Sequence, residues 1–363
     1  MRNQNFTTLL RSLCKEEQPS IQQIVSLILK NWRISHSVDE LTRSAIRSVV
    51  RRSCESAKLS RKTEVISIDL LRTLAATYDA MFTQTQPFAR SVPMYMPLAI
   101  LWDIAQPIEQ WLLRILKKKV RISNLLDTSS NADRYVASVR RIIDQHSAAS
   151  HEFYDELLPA KCSVEGLAFY LRQESTLDPY FDDLLAILQV GAPLEAKSEI
   201  GQNYFDEIGC GKPTQAHSYL FAQCAEALSR RVGRVHDLLP ESLVCGNLSV
   251  CLALHRQYYP IGVGYFGATE DLAPRRFRAF LHAWQRCNLP SAASAYQQLH
   301  AELDIDHADG WWRNVAYESC RRSEAFRRCV ELGILLRLES STLYLDAVST
   351  AISPFLIESG DVT

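Results

Sequence analysis

The apolar residues of this chain recur with the period of an α-helix almost throughout. In residues 20–34 they gather on one side of a helix: Ile21, Ile24, Val25, Leu27 and Ile28. No stretch sustains the two-residue alternation that would predict a half-buried strand. Glycine (13 residues) and proline (14 residues) are scarce, as expected where long helices need few breaks. The sequence therefore predicts an all-α fold with little or no sheet.

The same periodicity predicts where the helices lie. We expect them at about 20–34, 38–58, 65–82, 97–119, 131–158, 163–190, 194–208, 214–231, 244–258, 270–286, 290–309, 311–337 and 342–357. Residues 120–131 (VRISNLLDTSSN) have the composition of a linker. We therefore expect an N-terminal helical domain over 1–130 and a second helical domain over 131–363.

Charge and cysteine usage narrow the class of protein. The formal net charge is −1, which gives no reason to expect a nucleic-acid partner or an anionic membrane surface. The longest apolar run, residues 92–102, is too short to span a bilayer, so no membrane segment is expected. The N-terminal residues lack the apolar core of a signal peptide. Ten scattered cysteines without a CxxC pair indicate free thiols in a reducing, cytoplasmic compartment.

The strongest chemical signal is the segment His300-Ala-Glu-Leu-Asp304-Ile-Asp-His307. Offsets of four and seven residues bring all three side chains to one face of a helix, at 100° per residue. Two imidazoles and a carboxylate that converge on the interior of a bundle form a typical metal site. The alternative is a polar helix face that carries two hydrogen-bonded histidines.

Four further residues become informative beside that segment. Glu207 and His217 flank a stretch with two glycines and a proline, which can turn both side chains inward; a helix–turn–helix corner with a capping Glu is the alternative. Glu174 lies in a helical segment and would otherwise be an exposed helix residue. Glu270 is expected near the start of a helix, where the helix dipole alone would favour a carboxylate.

Together these residues resemble the haem-oxygenase-like diiron oxidases, a family of iron-containing redox enzymes. The family pattern is a Glu on a first core helix, then Glu-x9-His, then His-x3-Asp-x2-His. The chain has Glu174, then Glu207-x9-His217, then His300-x3-Asp304-x2-His307, in that order. The segments Phe181–Gly191 and Asn203–Glu207 also resemble sequences of this family. The resemblance covers about residues 145–330.

The resemblance implies a haem-oxygenase-like helical bundle with an N-terminal helical extension used in dimerisation. It implies two Fe(II)/Fe(III) ions, O2 as co-substrate and an external electron donor. N-nitrosourea-forming N-oxygenases of the family carry an extra carboxylate ligand on the helix before His-x3-Asp-x2-His, and Glu270 matches that placement. The implied ligands are therefore Glu174, Glu207, His217, Glu270, His300, Asp304 and His307.

The expected function is that of a non-haem diiron oxygenase acting on a small amino-acid-derived substrate in a biosynthetic pathway, as a homodimer. N-oxygenation is the first choice of reaction. Oxidative C–C or C–N cleavage, decarboxylation or desaturation by the same site is the alternative. A carboxylate-rich set with imidazoles favours iron or manganese over a cysteine-built zinc site.

Other chemistries have weaker support. Gly262-Val-Gly264-Tyr-Phe-Gly267 matches GxGxxG but lacks a preceding strand, so close helix packing is the better interpretation. Cys210 beside Glu207 could be the nucleophile of a metal-free hydrolase on the same fold. Haem ligation would need His146 or His151, which are expected at surface or capping positions. A non-catalytic binding protein with this fold is the remaining alternative.

Overall fold

The computed structural model describes residues 2–16, 20–30, 38–57, 67–82, 98–128, 131–232 and 238–357. The chain divides into two compact units, Met1–Ile115 and Leu116–Thr363. Across the described ranges the regular structure is helical, and the one extended pairing there is an isolated bridge between Cys162 and Leu356. The prediction of an all-α fold is confirmed.

The first unit is built from amphipathic helices. They are α1 (Arg2–Cys14), α2 (Ile21–Lys30), α3 (Glu40–Ser56), α4 (Ile68–Phe82) and most of α5 (Leu98–Lys117). Asp39 caps α3 by accepting a hydrogen bond from the Thr42 backbone N–H. The buried faces are aliphatic, as Leu10, Ile24, Ile46 and Leu74 illustrate, so this unit has a core of its own.

The second unit is a helical bundle. Its α-helices are α6 (Ala132–Asp144), α7 (Val164–Glu174), α8 (Phe181–Leu188), α9 (Leu194–Glu207), α10 (His217–Val232), α11 (Pro240–Leu254), α12 (Tyr259–Arg286), α13 (Ala295–Gly310), α14 (Glu318–Arg322) and α15 (Glu324–Ala351). Two stretches, Phe153–Lys161 and Trp311–Tyr317, are wound as π-helix. The second of these continues α13 directly into α14.

Several helix boundaries differ from those predicted. The expected helix 131–158 ends at Asp144, and the expected helix 163–190 is interrupted between Glu174 and Phe181. The two helices expected at 311–337 and 342–357 are instead α14 and one long helix, α15. The helix expected at 270–286 begins eleven residues earlier, at Tyr259, so the glycine-rich segment is helical. Glu270 consequently lies in mid-helix, and a helix-dipole role for it is wrong.

Helix α12 is the central element of the bundle and packs along both α13 and α15. Its glycines permit that packing. A Cβ on Gly267 would lie 2.5 Å from the Trp312 ring, and one on Gly264 would overlap the Val330 carbonyl. Gly333 of α15 makes the reciprocal approach to the Ile261 carbonyl. The GxGxxG segment therefore serves helix packing.

The structure bears on two expectations from the sequence, the one about membrane segments and the one about cysteines. No helix among the described residues is long and apolar enough to cross a membrane; positions 92–97 of the longest apolar run fall outside those residues. All ten cysteines are free, and six of them are buried.

Candidate metal centre

Helix α13 turns His300, Asp304 and His307 into the bundle, as their spacing predicts. All three are at most 5% exposed. The remaining polar residues of this segment, such as Glu302 and Asp306, face outward. A rise of 1.5 Å per residue separates His300 from Asp304 by about 6 Å along the helix axis. The helix can therefore supply ligands to two adjacent metal positions.

The turn after α9 brings Glu207 to His217. Glu207 is the last residue of α9 and His217 is the first of α10. Three consecutive residues of the turn have positive φ: Gly209 (67°), Cys210 (52°) and Gly211 (80°). The reversal is so tight that Glu207 Oε2 lies 2.7 Å from His217 Nδ1.

Glu207, His217 and His300 form the first cluster. Their ligand atoms all lie within 4.8 Å of one another, and all three residues are buried. Glu207 Oε1 lies 3.4 Å from His300 Nε2, and the two imidazole rings are 4.4 Å apart between centroids. One carboxylate and two imidazoles thus converge from three helices.

Glu270, Asp304 and His307 form the second cluster, also buried and also within 4.8 Å. His307 Nδ1 lies 3.9 Å from Glu270 Oε2 and 3.8 Å from Asp304 Oδ1. These distances exceed those of direct hydrogen bonds. The three atoms surround a common point without bonding to one another.

Buried atoms without hydrogen-bond partners mark both clusters. Among the described residues, no partner is found for Glu270 Oε1, Asp304 Oδ1 or His307 Nδ1, and His217 Nδ1 contacts Glu207 without the geometry of a hydrogen bond. Buried polar groups are almost always satisfied, because an unsatisfied one costs about 1–3 kcal/mol. A divalent cation in each cluster would satisfy them together, and two such ions would offset the three carboxylate charges. The residues present therefore fit a pair of metal ions of the iron or manganese type.

The carboxylates of the two clusters have pKa values that are shifted in opposite directions. Burial raises the pKa of Glu270 well above its usual range, and Glu207 adds to the effect. Burial also raises the pKa of Asp304 well above the usual value, reinforced by Glu270 and Glu207. Burial acts in the same direction on Glu207, but the adjacent imidazoles of His217 and His300 outweigh it and lower that pKa to about 2. Ionising both carboxyl groups of the second cluster is thus unfavourable unless a cation lies beside them.

Outer contacts orient two of the imidazoles. His300 Nδ1 lies 2.9 Å from the Tyr296 carbonyl, so it must donate its proton there and leave Nε2 free toward Glu207. His307 Nε2 lies 3.2 Å from Asp206 Oδ2, which leaves Nδ1 toward Glu270 and Asp304. Such partners fix the ring and its tautomer in metal sites.

The structure does not bring Glu174 into either cluster. Its carboxylate bonds to the Arg276 guanidinium and to the Tyr344 hydroxyl. Arg276 also binds Asp178, at 2.9 and 3.2 Å. The role of Glu174 as a metal ligand stays a prediction.

Sequence reasoning missed three residues around the centre. Asp206 holds His307, and Arg276 neutralises two buried carboxylates. Asn203 lies one turn before Glu207, is buried, and has no partner for either amide atom among the described residues. The offset of four residues from Glu207 was the available signal for Asn203.

An open cavity of about 470 Å³ reaches the second cluster at Asp304. Its wall carries both signs of charge, with Arg140, Arg275 and Arg278 beside Asp144 and Asp271. Cavities of this size hold small organic ligands.

The histidines considered for haem are engaged elsewhere. His146 accepts a hydrogen bond from the Ala148 backbone, and His151 contacts Asp346 and the Phe153 backbone. Cys210 is exposed, and its pKa is raised by desolvation and by Asp206, whereas a nucleophilic thiol needs a lowered pKa.

Comparison with known proteins gives one family. Residues 168–341 match the model of a family described as "iron-containing redox enzyme", a segment that contains all seven predicted site residues. A search of curated proteins finds no match.

Proposed function

The bundle belongs, through residues 168–341, to the family of iron-containing redox enzymes with a haem-oxygenase-like fold, and from this premise we propose that the chain is a diiron oxygenase. The observation that carries the proposal is the pair of buried clusters on α13, with their unpartnered nitrogen and oxygen atoms. Two metal ions held side by side, about 3.5–4 Å apart, can share one substrate.

In this proposal Glu207, His217 and His300 hold one iron ion, and Glu270, Asp304 and His307 hold the other. Bound iron would supply the electrons that activate O2. Asp206 and the Tyr296 carbonyl keep the imidazoles of His307 and His300 in the ligating tautomer. Phe277 and Tyr296 pack against the His300 ring, at 4.8 and 4.3 Å between centroids, and exclude water from that side.

The 470 Å³ cavity is the proposed substrate site. It reaches Asp304, and its arginines and aspartates complement a substrate that carries both a carboxylate and an amino group. Arg140 already pairs with Asp309, at 3.3 Å, and Arg278 bonds to the Ala301 carbonyl, so the wall is held in place before a ligand arrives. This supports a small amino-acid-derived substrate.

N-oxygenation is the proposed reaction. One N–H bond of the substrate becomes N–OH, the second oxygen atom of O2 leaves as water, and an external donor supplies two electrons and two protons. The support is Glu270, which the fold places in the second cluster as an additional buried carboxylate. Oxidative cleavage, decarboxylation or desaturation would use the same ligands and is distinguished by its products.

The test is anaerobic titration with Fe(II), followed by exposure to O2 with candidate amino acids. We expect about two iron ions per chain. His300→Ala and His307→Ala should each lose stoichiometric binding at one position, while His282→Ala, which alters an exposed histidine of α12, should bind as the wild type does. Unchanged iron uptake in both variants would refute the ligand assignment, and mass spectrometry of the product would decide between hydroxylated nitrogen and cleavage.

A further inference from the structure

A second, smaller cavity lies on the far side of α12 from the metal centre. It measures about 40 Å³, and Leu272, Arg275 and Arg276 of α12 contribute to its wall. At 100° per residue these three residues point roughly 120–160° away from Glu270, which faces the clusters. The cavity is therefore separate from the two metal-ligand clusters, although Glu174, a predicted ligand outside both clusters, lines it.

Arg337 of α15 lines this cavity and is 8% exposed. Its guanidinium lies over the Tyr265 ring, 5.6 Å from the centroid. Among the described residues it forms no ion pair, and its Nε atom has no hydrogen-bond partner. Arg337 also has a side-chain hydrogen bond with Tyr265, which leaves other guanidinium donors to satisfy, and a buried unsatisfied donor is costly.

The neighbouring carboxylates do not pair with the Arg337 guanidinium. Glu174 and Asp178 balance Arg276 and Arg337 in number, but both contact Arg276. Arg275 pairs with Asp155. Tyr265 and Cys245, the polar groups beside Arg337, have pKa values that burial raises, so both are neutral at physiological pH.

We propose that this cavity binds a carboxylate group through Arg337. Each water needs roughly 10–15 Å³ of such space, so 40 Å³ accommodates about three non-hydrogen atoms, the size of a carboxylate. The planar, bidentate fork of arginine matches that group. Ser341, one helical turn after Arg337, lines the same cavity and adds a hydroxyl donor.

The carboxylate has two possible sources. Leu272 and Arg275 border both this cavity and the 470 Å³ cavity that reaches Asp304. An extended acid could therefore place its carboxylate at Arg337 and its other end near Asp304. A small free anion, such as acetate or bicarbonate, is the other source.

The test measures thermal stabilisation of the full-length protein by acetate and by longer straight-chain carboxylates, against chloride at equal ionic strength. Measurements with and without bound Fe(II) separate this cavity from direct binding to iron. We expect saturable, carboxylate-specific stabilisation in both forms. Arg337→Gln should weaken the apparent affinity at least about tenfold, as loss of a charged hydrogen-bond partner predicts.

Two further variants complete the design. Ser341→Leu fills the cavity while keeping the guanidinium, and it should abolish the effect even if Arg337→Gln folds poorly. Arg328→Gln removes the same charge from an exposed position of the same helix and should change nothing. Affinity that rises with chain length assigns the site to a substrate's carboxylate, and affinity that falls assigns it to a free anion. Absence of carboxylate-specific stabilisation in the wild type, or equal stabilisation in Ser341→Leu, would overturn the proposal.

Discussion

Asp206 shows how one residue outside the ligand set can control a metal site. It lies next to Glu207 in sequence, yet its carboxylate accepts a hydrogen bond from His307 Nε2, at 3.2 Å. That bond keeps the proton on Nε2 and presents the Nδ1 lone pair to Glu270 and Asp304. An asparagine could offer its amide N–H to the same nitrogen and so favour the wrong tautomer.

Asp206→Asn should therefore weaken binding of the second iron ion by about 10–100-fold, the usual effect of losing an outer-shell carboxylate. Binding of the first ion, whose proposed ligands do not contact Asp206, should be unchanged. Glu195→Gln, an exposed carboxylate on the same helix, is the matched control. Anaerobic Fe(II) titration measures both affinities, and two unchanged affinities in Asp206→Asn would contradict the assigned role.

The buried acids of the second cluster make the effect of metal depend on pH. Burial, with the charge of Glu207, raises the pKa of Glu270 and of Asp304. In the metal-free protein these groups hold protons that the unfolded chain releases above about pH 4. Their contribution to stability is complete below that pH and is lost as pH rises through the folded-state values. Metal ions replace those protons and remove the penalty.

The melting temperature of Fe(II)-loaded protein should therefore exceed that of metal-free protein by a margin that widens from about pH 6 to about pH 8. Glu207 does not reverse this trend, since its pKa of about 2 keeps it ionised across that range. Differential scanning calorimetry under anaerobic conditions measures the margin. A margin that is constant or shrinks with rising pH would show that the two acids are already ionised without metal.

At the scale of elements, the turn between α9 and α10 is the feature on which the first cluster depends. Gly209 has φ of 67°, in the left-handed region. A Cβ there would overlap the Gln215 backbone and lie 2.5 Å from the Ala216 nitrogen. Because the obstacle is backbone, no side-chain rotation can relieve it.

Gly209→Ala should cost at least about 1–2 kcal/mol of unfolding free energy from the left-handed conformation alone, with the backbone overlap in addition. It should also weaken iron binding at the first cluster, since Glu207 and His217 would be displaced. Gly201→Ala is the control, because its Cβ meets only Gln189 Oε1 at 3.7 Å within an ordinary helix. Urea denaturation should find that control neutral or stabilised by about 0.4–1 kcal/mol. Equal stabilities for the two variants would contradict this account.

The elements also show where sequence reasoning succeeds. His300, Asp304 and His307 could be placed together because helical phase is local and needs only their spacing. Glu207 and His217 could be paired because the glycines and proline between them indicate a tight reversal. The start of α12 could not be located, because the same glycines that suggest a break serve helix packing against Val330 and Trp312.

Glu174 illustrates what spacing cannot reveal. Its partner Arg276 lies 102 residues away, and Tyr344 lies 170 residues away. Helical periodicity predicts the face of the helix on which a residue lies. It does not predict which cationic side chain from a distant part of the sequence will contact that residue. Asp206 was likewise hidden by its neighbour Glu207, because both fit the end of one helix and only the fold separates their partners.

At the scale of the whole molecule, the exposed apolar residues of the first unit bear on the predicted oligomeric state. Two of its leucines lie on the outside, with Leu9 48% and Leu41 71% exposed. Apolar surface beyond the needs of a unit's own core is typical of an interface. The predicted homodimer, with residues 1–130 contributing to its interface, would account for that surface.

The full-length protein should therefore sediment as a dimer at micromolar concentration. Leu41→Glu replaces an exposed leucine of α3 with a charge and should shift the equilibrium toward monomer, because an unpaired charge buried at an interface costs several kcal/mol. Leu194→Glu is the matched control: Leu194 is 75% exposed on the bundle, so this substitution should leave the dimer intact. Sedimentation velocity over a concentration series distinguishes the species. A wild-type monomer throughout the series would contradict the prediction, and a dimer lost equally in both variants would place the interface on the bundle.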